Sequence, residues 1–139
     1  MESLEASAVC IDTSVLADNL RGRRETVDYI RKLEAAGTGL STTTVNSFEL
    51  FYGAYRSARR EKNLAATKAL LRRLVVVELS EAASEEAGKL LATLESKGEG
   101  IDFRDILIAA ISKTQEMALI TRNIEHFSRI LGLEVLEAP

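Results

Sequence analysis

Asp12, Glu49 and Asp105 are the residues of this chain whose types and surroundings point to chemistry. Each is read as following the carboxyl end of a short apolar, strand-like run, and Asn123 follows a fourth. An open α/β sheet collects such residues along one edge, in the crevice outside its strand ends where ligands bind. Brought together, three carboxylates repel one another and need a cation or a raised pKa to coexist. Hard cations such as Mg²⁺ and Mn²⁺ take oxygen ligands, often one or two protein carboxylates completed by water. Such an ion lowers the pKa of a bound water and offsets charge on a phosphoryl oxygen. The pattern predicts a metal-dependent enzyme on a small α/β domain.

Each acid also has a plainer use. In the helix expected over 45–58, Val45, Phe48, Tyr52 and Tyr55 recur at three- and four-residue steps and mark a buried face. Glu49 shares it, where a carboxylate is costly unless an arginine or a cation compensates it. Asp12, with Thr13 and Ser14 behind it, suits the N-cap of a following helix. Asp102-Phe103-Arg104-Asp105 reads as a capping box with an aspartate in the last place, and the macrodipole favours both acids there. Thr121-Arg122-Asn123 is an ordinary strand-to-helix turn. Independent caps would not need a glutamate on an inward face, and it is the combination that points to a site. No chain nucleophile is required: Cys10 reads as a small buried thiol and His126 as a surface or packing histidine without a partner. The aromatic concentration Phe48, Phe51, Tyr52 and Tyr55 is read as core or partner-interface packing rather than as a base-stacking platform.

The elements that must position these residues alternate between strand and helix. Strands are expected at 8–11, 39–42, 75–77, 118–121 and 133–136. Helices are expected at 26–36, stopped by Gly37, and at 45–58, 62–73, 80–97, 106–112 and 125–130, the fifth of these preceded by Asp102. Alternation favours a mostly parallel sheet flanked by helices on both faces. At 139 residues the chain is read as one α/β domain, 1–139.

Composition excludes several classes. With 46% hydrophobic and 28% charged residues, the chain is neither disordered nor membranous, and its longest apolar run, 106–111, is far short of a span. Glu2 and Glu5 replace the basic-then-apolar pattern of a signal peptide, and the single cysteine cannot form an intrachain disulfide. A reducing cytoplasm is therefore expected. A net charge of −3 gives no general attraction to nucleic acid, but basic residues cluster at Arg21, Arg23 and Arg24, at Arg56, Arg59, Arg60 and Lys62, and at Arg72 and Arg73. Such patches bind phosphates even on an acidic protein, or are simply solvated helix faces.

Four segments carry a family resemblance: Ile11-Asp12-Thr13-Ser14, Phe48-Glu49-Leu50-Phe51-Tyr52-Gly53, the run from Ile101 to Ala110, and Thr121-Arg122-Asn123 with Phe127. In this order, over nearly the whole chain, they resemble the PIN-domain toxins of the VapC type. The resemblance implies a Mg²⁺- or Mn²⁺-dependent endoribonuclease that hydrolyses RNA with a metal-activated water. It also implies a homodimer, silenced by a VapB-type antitoxin whose tail enters the active-site groove. By position, Asp12, Glu49 and Asp105 match the three principal acids and would hold the metal. Asn123 falls where many members have a fourth acid, and His126 where an aspartate often precedes the phenylalanine. Thr121, Asp102 and Ser14 match supporting positions. One firmly held metal is expected rather than two.

Three other functions compete with the nuclease. A phosphohydrolase with Asp12 as nucleophile lacks the usual second aspartate, since Ser14 stands two residues on. A receiver-type signalling domain wants an adjacent acidic pair near the first strand and a lysine after a late one, where the chain has Arg122. The alternative that stays open is a catalytically weak PIN-like module that binds RNA or protein without cutting.

Overall fold

Residues 8–139 are described by the computed structural model; Glu2 and Glu5 fall outside them. Five parallel strands form one sheet in the order β3-β2-β1-β4-β5. At its centre lies β1 (Ala8–Ile11), between β2 (Gly39–Thr43) and β4 (Ala118–Thr121); β3 (Val75–Val77) and β5 (Val135–Glu137) form the edges. Cys10 stands in register with Ser41 on one side and Leu119 on the other. All four pairings are parallel, so the sheet expected to be mostly parallel is uniformly so among the described residues.

The unbroken apolar run of β1 reflects burial on both faces. Successive side chains of a strand point to opposite sides, so Val9 and Ile11 enter one core while Cys10 enters the other. The first core includes Val15, Leu16, Ile30, Leu50 and Leu70, and is supplied by α1 (Thr13–Leu20), α2 (Arg24–Ala35), α3 (Thr44–Arg56) and α4 (Arg60–Leu71). The second includes Leu90, Leu94, Ile106 and Phe127, from α5 (Glu81–Ser96), α6 (Phe103–Thr114) and α7 (Ile124–Phe127). Gly37 stops its helix as expected, and Gly98 does the same for the helix over 81–96. Gly37 and Gly98 take φ of +81° and +71°, and each lets the next amide reach back to a helix carbonyl, Thr38 to Leu33 at 3.1 Å and Glu99 to Leu94 at 2.9 Å. Among the described residues no helix is long and apolar enough to cross a membrane.

Helix α3 departs from the sequence expectation. Its buried residues are Asn46, Leu50 and Ala54, whereas Phe48, Tyr52 and Tyr55 are 56%, 51% and 56% exposed. Periodicity alone does not say which of two apolar stripes on a helix meets the core. The chosen stripe carries the small Ala54 beside Leu50, and the large rings turn outward, Phe48 stacked on Tyr52 with Arg56 over the Tyr52 ring.

Chain order reverses at β1. From it the chain runs outward to β2 and β3, then returns to lay β4 and β5 on the other side. The two halves diverge at the carboxyl ends of β1 and β4, which leaves a crevice there. Asp12 occupies that point, its amide donating to the Ile120 carbonyl at 2.9 Å.

Candidate active site

Only Asp12 directly follows a strand. Glu49 lies inside α3, Asp105 in the first turn of α6, and Asn123 at the start of α7. The expectation that every acid ends a strand is therefore too simple: the sheet edge supplies Asp12, while the second turn of α3 and the first turn of α6 supply the other two.

Asp12 is buried. It stands at the N-cap of α1 but makes no side-chain cap bond; its carboxylate is used elsewhere. Oδ2 accepts from Thr121 Oγ1 at 2.7 Å and Ser14 Oγ at 3.2 Å, and Oδ1 accepts from Asn46 Nδ2 at 3.2 Å. The Asn46 amide also donates to Thr13 Oγ1 at 2.8 Å, and Thr13 in turn donates to Glu49 Oε1 at 2.5 Å. Asp12, Asn46, Thr13 and Glu49 thus form one hydrogen-bonded chain. Sequence reasoning missed the two middle members. The available signal was Thr43 followed three residues later by Asn46: they close a capping box at the start of α3, and Thr43 Oγ1 donates to Asn46 Oδ1 at 2.7 Å, fixing the amide so that its nitrogen faces the acids.

Asp105 is the strained member. Its carboxyl is pushed up to about 6, first by burial and then by the charges of Asp12, Asp102 and Glu49, with His126 pulling the other way. His126 Nδ1 stands 3.6 Å from Asp105 Oδ2, so the histidine read from sequence as unpartnered faces an acid of the cluster. Asp102 does not join the three. It is exposed at the N-cap of α6, accepting from the Arg104 amide at 2.8 Å and from its guanidinium at 3.2 and 3.1 Å, and these bonds hold its carboxyl below the usual range. The capping box expected with Asp105 is not formed, because the Asp102 side chain bonds the second helical amide and Asp105 donates its own to the Asp102 carbonyl at 3.0 Å.

The Thr121 corner has two layers. Thr121 Oγ1 donates to Asp12 and accepts from the Asn123 amide at 3.0 Å. Asn123 itself is exposed and caps α7 without a side-chain hydrogen bond. Next to it Arg122 reaches Asp18 Oδ2 at 3.4 Å, an aspartate that also holds Arg21 at 3.0 Å and Arg23 at 3.1 Å. With Glu25 also 3.4 Å from Arg23, three cations stand against two anions and leave a small positive excess here. On the other side a cleft of about 480 Å³ leads away from Thr13 and Glu49 past Leu20, Leu50 and Gly53 to Thr67, between α1, α3 and α4.

The donor set of Asp12, Glu49 and Asp105 is all carboxylate oxygen, which suits a hard dication. Among the described residues no three His, Cys, Asp or Glu side chains already stand in a metal-holding group. Each acid is turned to a partner of its own: Asp12 to neutral donors, Glu49 to Thr13 and to Arg104 at 3.6 Å, and Asp105 to His126. The residues fit such an ion by chemistry and by mutual repulsion. Cys10 offers no alternative nucleophile, since burial pushes its thiol up to about 12.

The model of the PIN domain matches residues 9–132. Ribonuclease VapC19 of Mycobacterium tuberculosis is 32% identical over 89% of this chain and 95% of its own. The tRNA(fMet)-specific endonuclease VapC of Salmonella typhimurium is 27% identical over 90% of this chain and 93% of its own. Among solved structures, VapBC2 from Rickettsia felis, bound to a DNA fragment from its promoter, contains a chain that superposes with a TM-score of 0.88 at 25% identity, covering 95% of this chain and 99% of that one.

Proposed function

The chain belongs to the PIN-domain family in its VapC branch, and from that membership and the Asp12 crevice we propose that it is a metal-dependent endoribonuclease, the toxin of a toxin–antitoxin pair. The observation that carries the chemistry is the hydrogen-bonded chain of Asp12, Asn46, Thr13 and Glu49, which sets two acids at one crevice whose charges, after burial, raise the proton affinity of Asp105. Asp12, Glu49 and Asp105 would hold Mg²⁺ or Mn²⁺, directly or through water. When bound, the ion supplies the Lewis acidity that eases deprotonation of an attacking water and offsets charge on the phosphate.

The chain's own residues do the rest. Thr121, Ser14 and Asn46 fix the Asp12 carboxylate, and Thr13 fixes Glu49. Asn123, at the α7 cap, presents an amide where an acid would add charge. Arg21 and Arg122 lend the crevice positive potential, so RNA binding weakens as salt rises. The apolar-floored cleft past Leu20 and Leu50 fits an inserted segment of a VapB-type antitoxin, the kind of partner that the Rickettsia felis complex contains by name. The outward Phe48, Tyr52 and Tyr55 suit a second copy of the chain, giving a homodimer. Cys10, buried and unpaired, suits a reducing cytoplasm.

Purified, antitoxin-free protein is tested on a pool of structured and single-stranded RNA with Mn²⁺, Mg²⁺ or EDTA, beside an Asp105→Asn variant. Cutting that needs the metal and is lost in a folded variant is the expected result. Full activity in folded Asp105→Asn would refute the assignment of that residue. RNA binding without cutting in any metal would instead favour a catalytically weak binding module, the reading that Asn123 in place of an acid supports.

A further inference from the structure

Among the described residues Arg104 is the one cation that reaches a carboxylate of the Thr13-linked chain: its Nη1 lies 3.6 Å from Glu49 Oε2. It is not there by chance of rotamer. Asp102 grips the same guanidinium through two bonds, Nε to Oδ1 at 3.2 Å and Nη2 to Oδ2 at 3.1 Å, and also takes the Arg104 amide. A planar guanidinium fixed on one edge by a carboxylate leaves its remaining nitrogen pointing in a set direction, and that direction is Glu49. The opposite oxygen of Glu49 is held by Thr13. Both edges of the glutamate are therefore engaged.

We propose that Arg104, anchored by Asp102, is a built-in counter-cation for Glu49 that a dication must displace, making it a positioning residue that sets how much metal the site requires. The proposal rests on the metal-dependent reading above. Its physical basis is competition: one carboxylate oxygen cannot serve a guanidinium and an inner ligand sphere at full strength together. Asp102 is then explained as well. Outside the cluster of three acids, it keeps Arg104 aimed at Glu49 and keeps the released guanidinium at the rim. The side chain of Arg104 is 41% exposed, so the exchange needs only a swing into solvent, with no repacking.

Mn²⁺ binding is measured by calorimetry at low salt on wild type, Arg104→Ala, Glu49→Gln and the double variant, with melting of the same four proteins in EDTA. Arg104→Ala should bind Mn²⁺ roughly two- to fivefold more tightly, the range that exposed ion pairs support, and should need correspondingly less metal for half-maximal RNA cleavage. That gain should vanish when Glu49 is already Gln. In EDTA the two single substitutions should lose together more stability than the double variant does, which reports the pair even if Glu49→Gln abolishes metal binding. Unchanged or weaker Mn²⁺ binding by Arg104→Ala, a gain that survives intact in the Glu49→Gln background, or no coupling in the melts would each overturn the proposal. A wild type that binds no Mn²⁺ would overturn the parent reading itself, an outcome visible in the first titration.

Discussion

Removing the charge of Asp105 should stabilise the metal-free protein. Its carboxyl is pushed up to about 6 against an ordinary value of 3.8. The folded state therefore binds this proton more tightly than the unfolded chain does. Stability from the bound proton is complete below about pH 3.8, falls as pH rises through about 6, and is gone above that. Two pH units correspond to a ceiling of about 3 kcal/mol at 1.36 kcal/mol per unit. The side chain is 19% exposed, and solvent screening reduces the figure, to roughly 1–2 kcal/mol. Asp105→Asn keeps the shape and deletes the charge. In EDTA at pH 8 it should melt above wild type by roughly 3–8 °C for a domain of this size, and the gap should close as pH falls to 4. Saturating Mn²⁺ should reverse the order, since only wild type retains the full ligand set. Differential scanning fluorimetry across pH 4–8, with EDTA and with Mn²⁺, reads all of this. An Asp105→Asn protein equal to or less stable than wild type at pH 8 in EDTA, with a gap independent of pH, would refute the crowding of the acids.

Asn46→Ala strips Asp12 of one donor, breaks the link to Thr13 and opens the α3 cap, so a loss of roughly 2–4 kcal/mol is expected in urea melts, with cleavage falling in the protein that remains folded. Cys10 should resist iodoacetamide at pH 8 in the native state and react fully in urea, as judged by mass spectrometry; rapid native labelling would contradict its burial. Tyr52→Glu places a charge on the exposed aromatic stripe of α3 and should shift sedimentation towards monomer without lowering the melting temperature of the fold.

Much of the fold was legible because its signals are local. Short apolar runs and the stop at Gly37 each act within a few residues, and they suffice for the element order and for a sheet covered on both faces. What the sequence hid is tertiary. The orientation of α3 depends on which stripe fits against the first core, and hydrophobicity ranked the rings above Asn46 and Ala54. Asn46 looked like a polar helix residue, because its importance comes from Asp12, 34 residues away in sequence. His126 seemed isolated for the same reason: its partner Asp105 belongs to another helix. Asp102 and Asp105 looked like one capping device, yet the helix start separates them, one exposed and gripping Arg104, the other half-buried beside the acids of the crevice.

The three acids are kept together by three different means, and this difference orders their roles. Asp12 is held by neutral donors, Thr121, Ser14 and Asn46, which fix its direction without cancelling its charge. Glu49 has one edge on Thr13 and the other on a guanidinium. Asp105 answers the crowding with proton affinity and with His126 nearby. A cation arriving at this crevice meets one oriented anion, one that must release an arginine, and one that must release a proton at and below about pH 6. Metal binding should therefore strengthen from pH 5 to 7, releasing close to one proton at pH 5 and about half a proton at pH 6. Calorimetry in two buffers of different ionisation heat would count that proton, and a proton count of zero at pH 6 would mean that Asp105 enters the site already ionised.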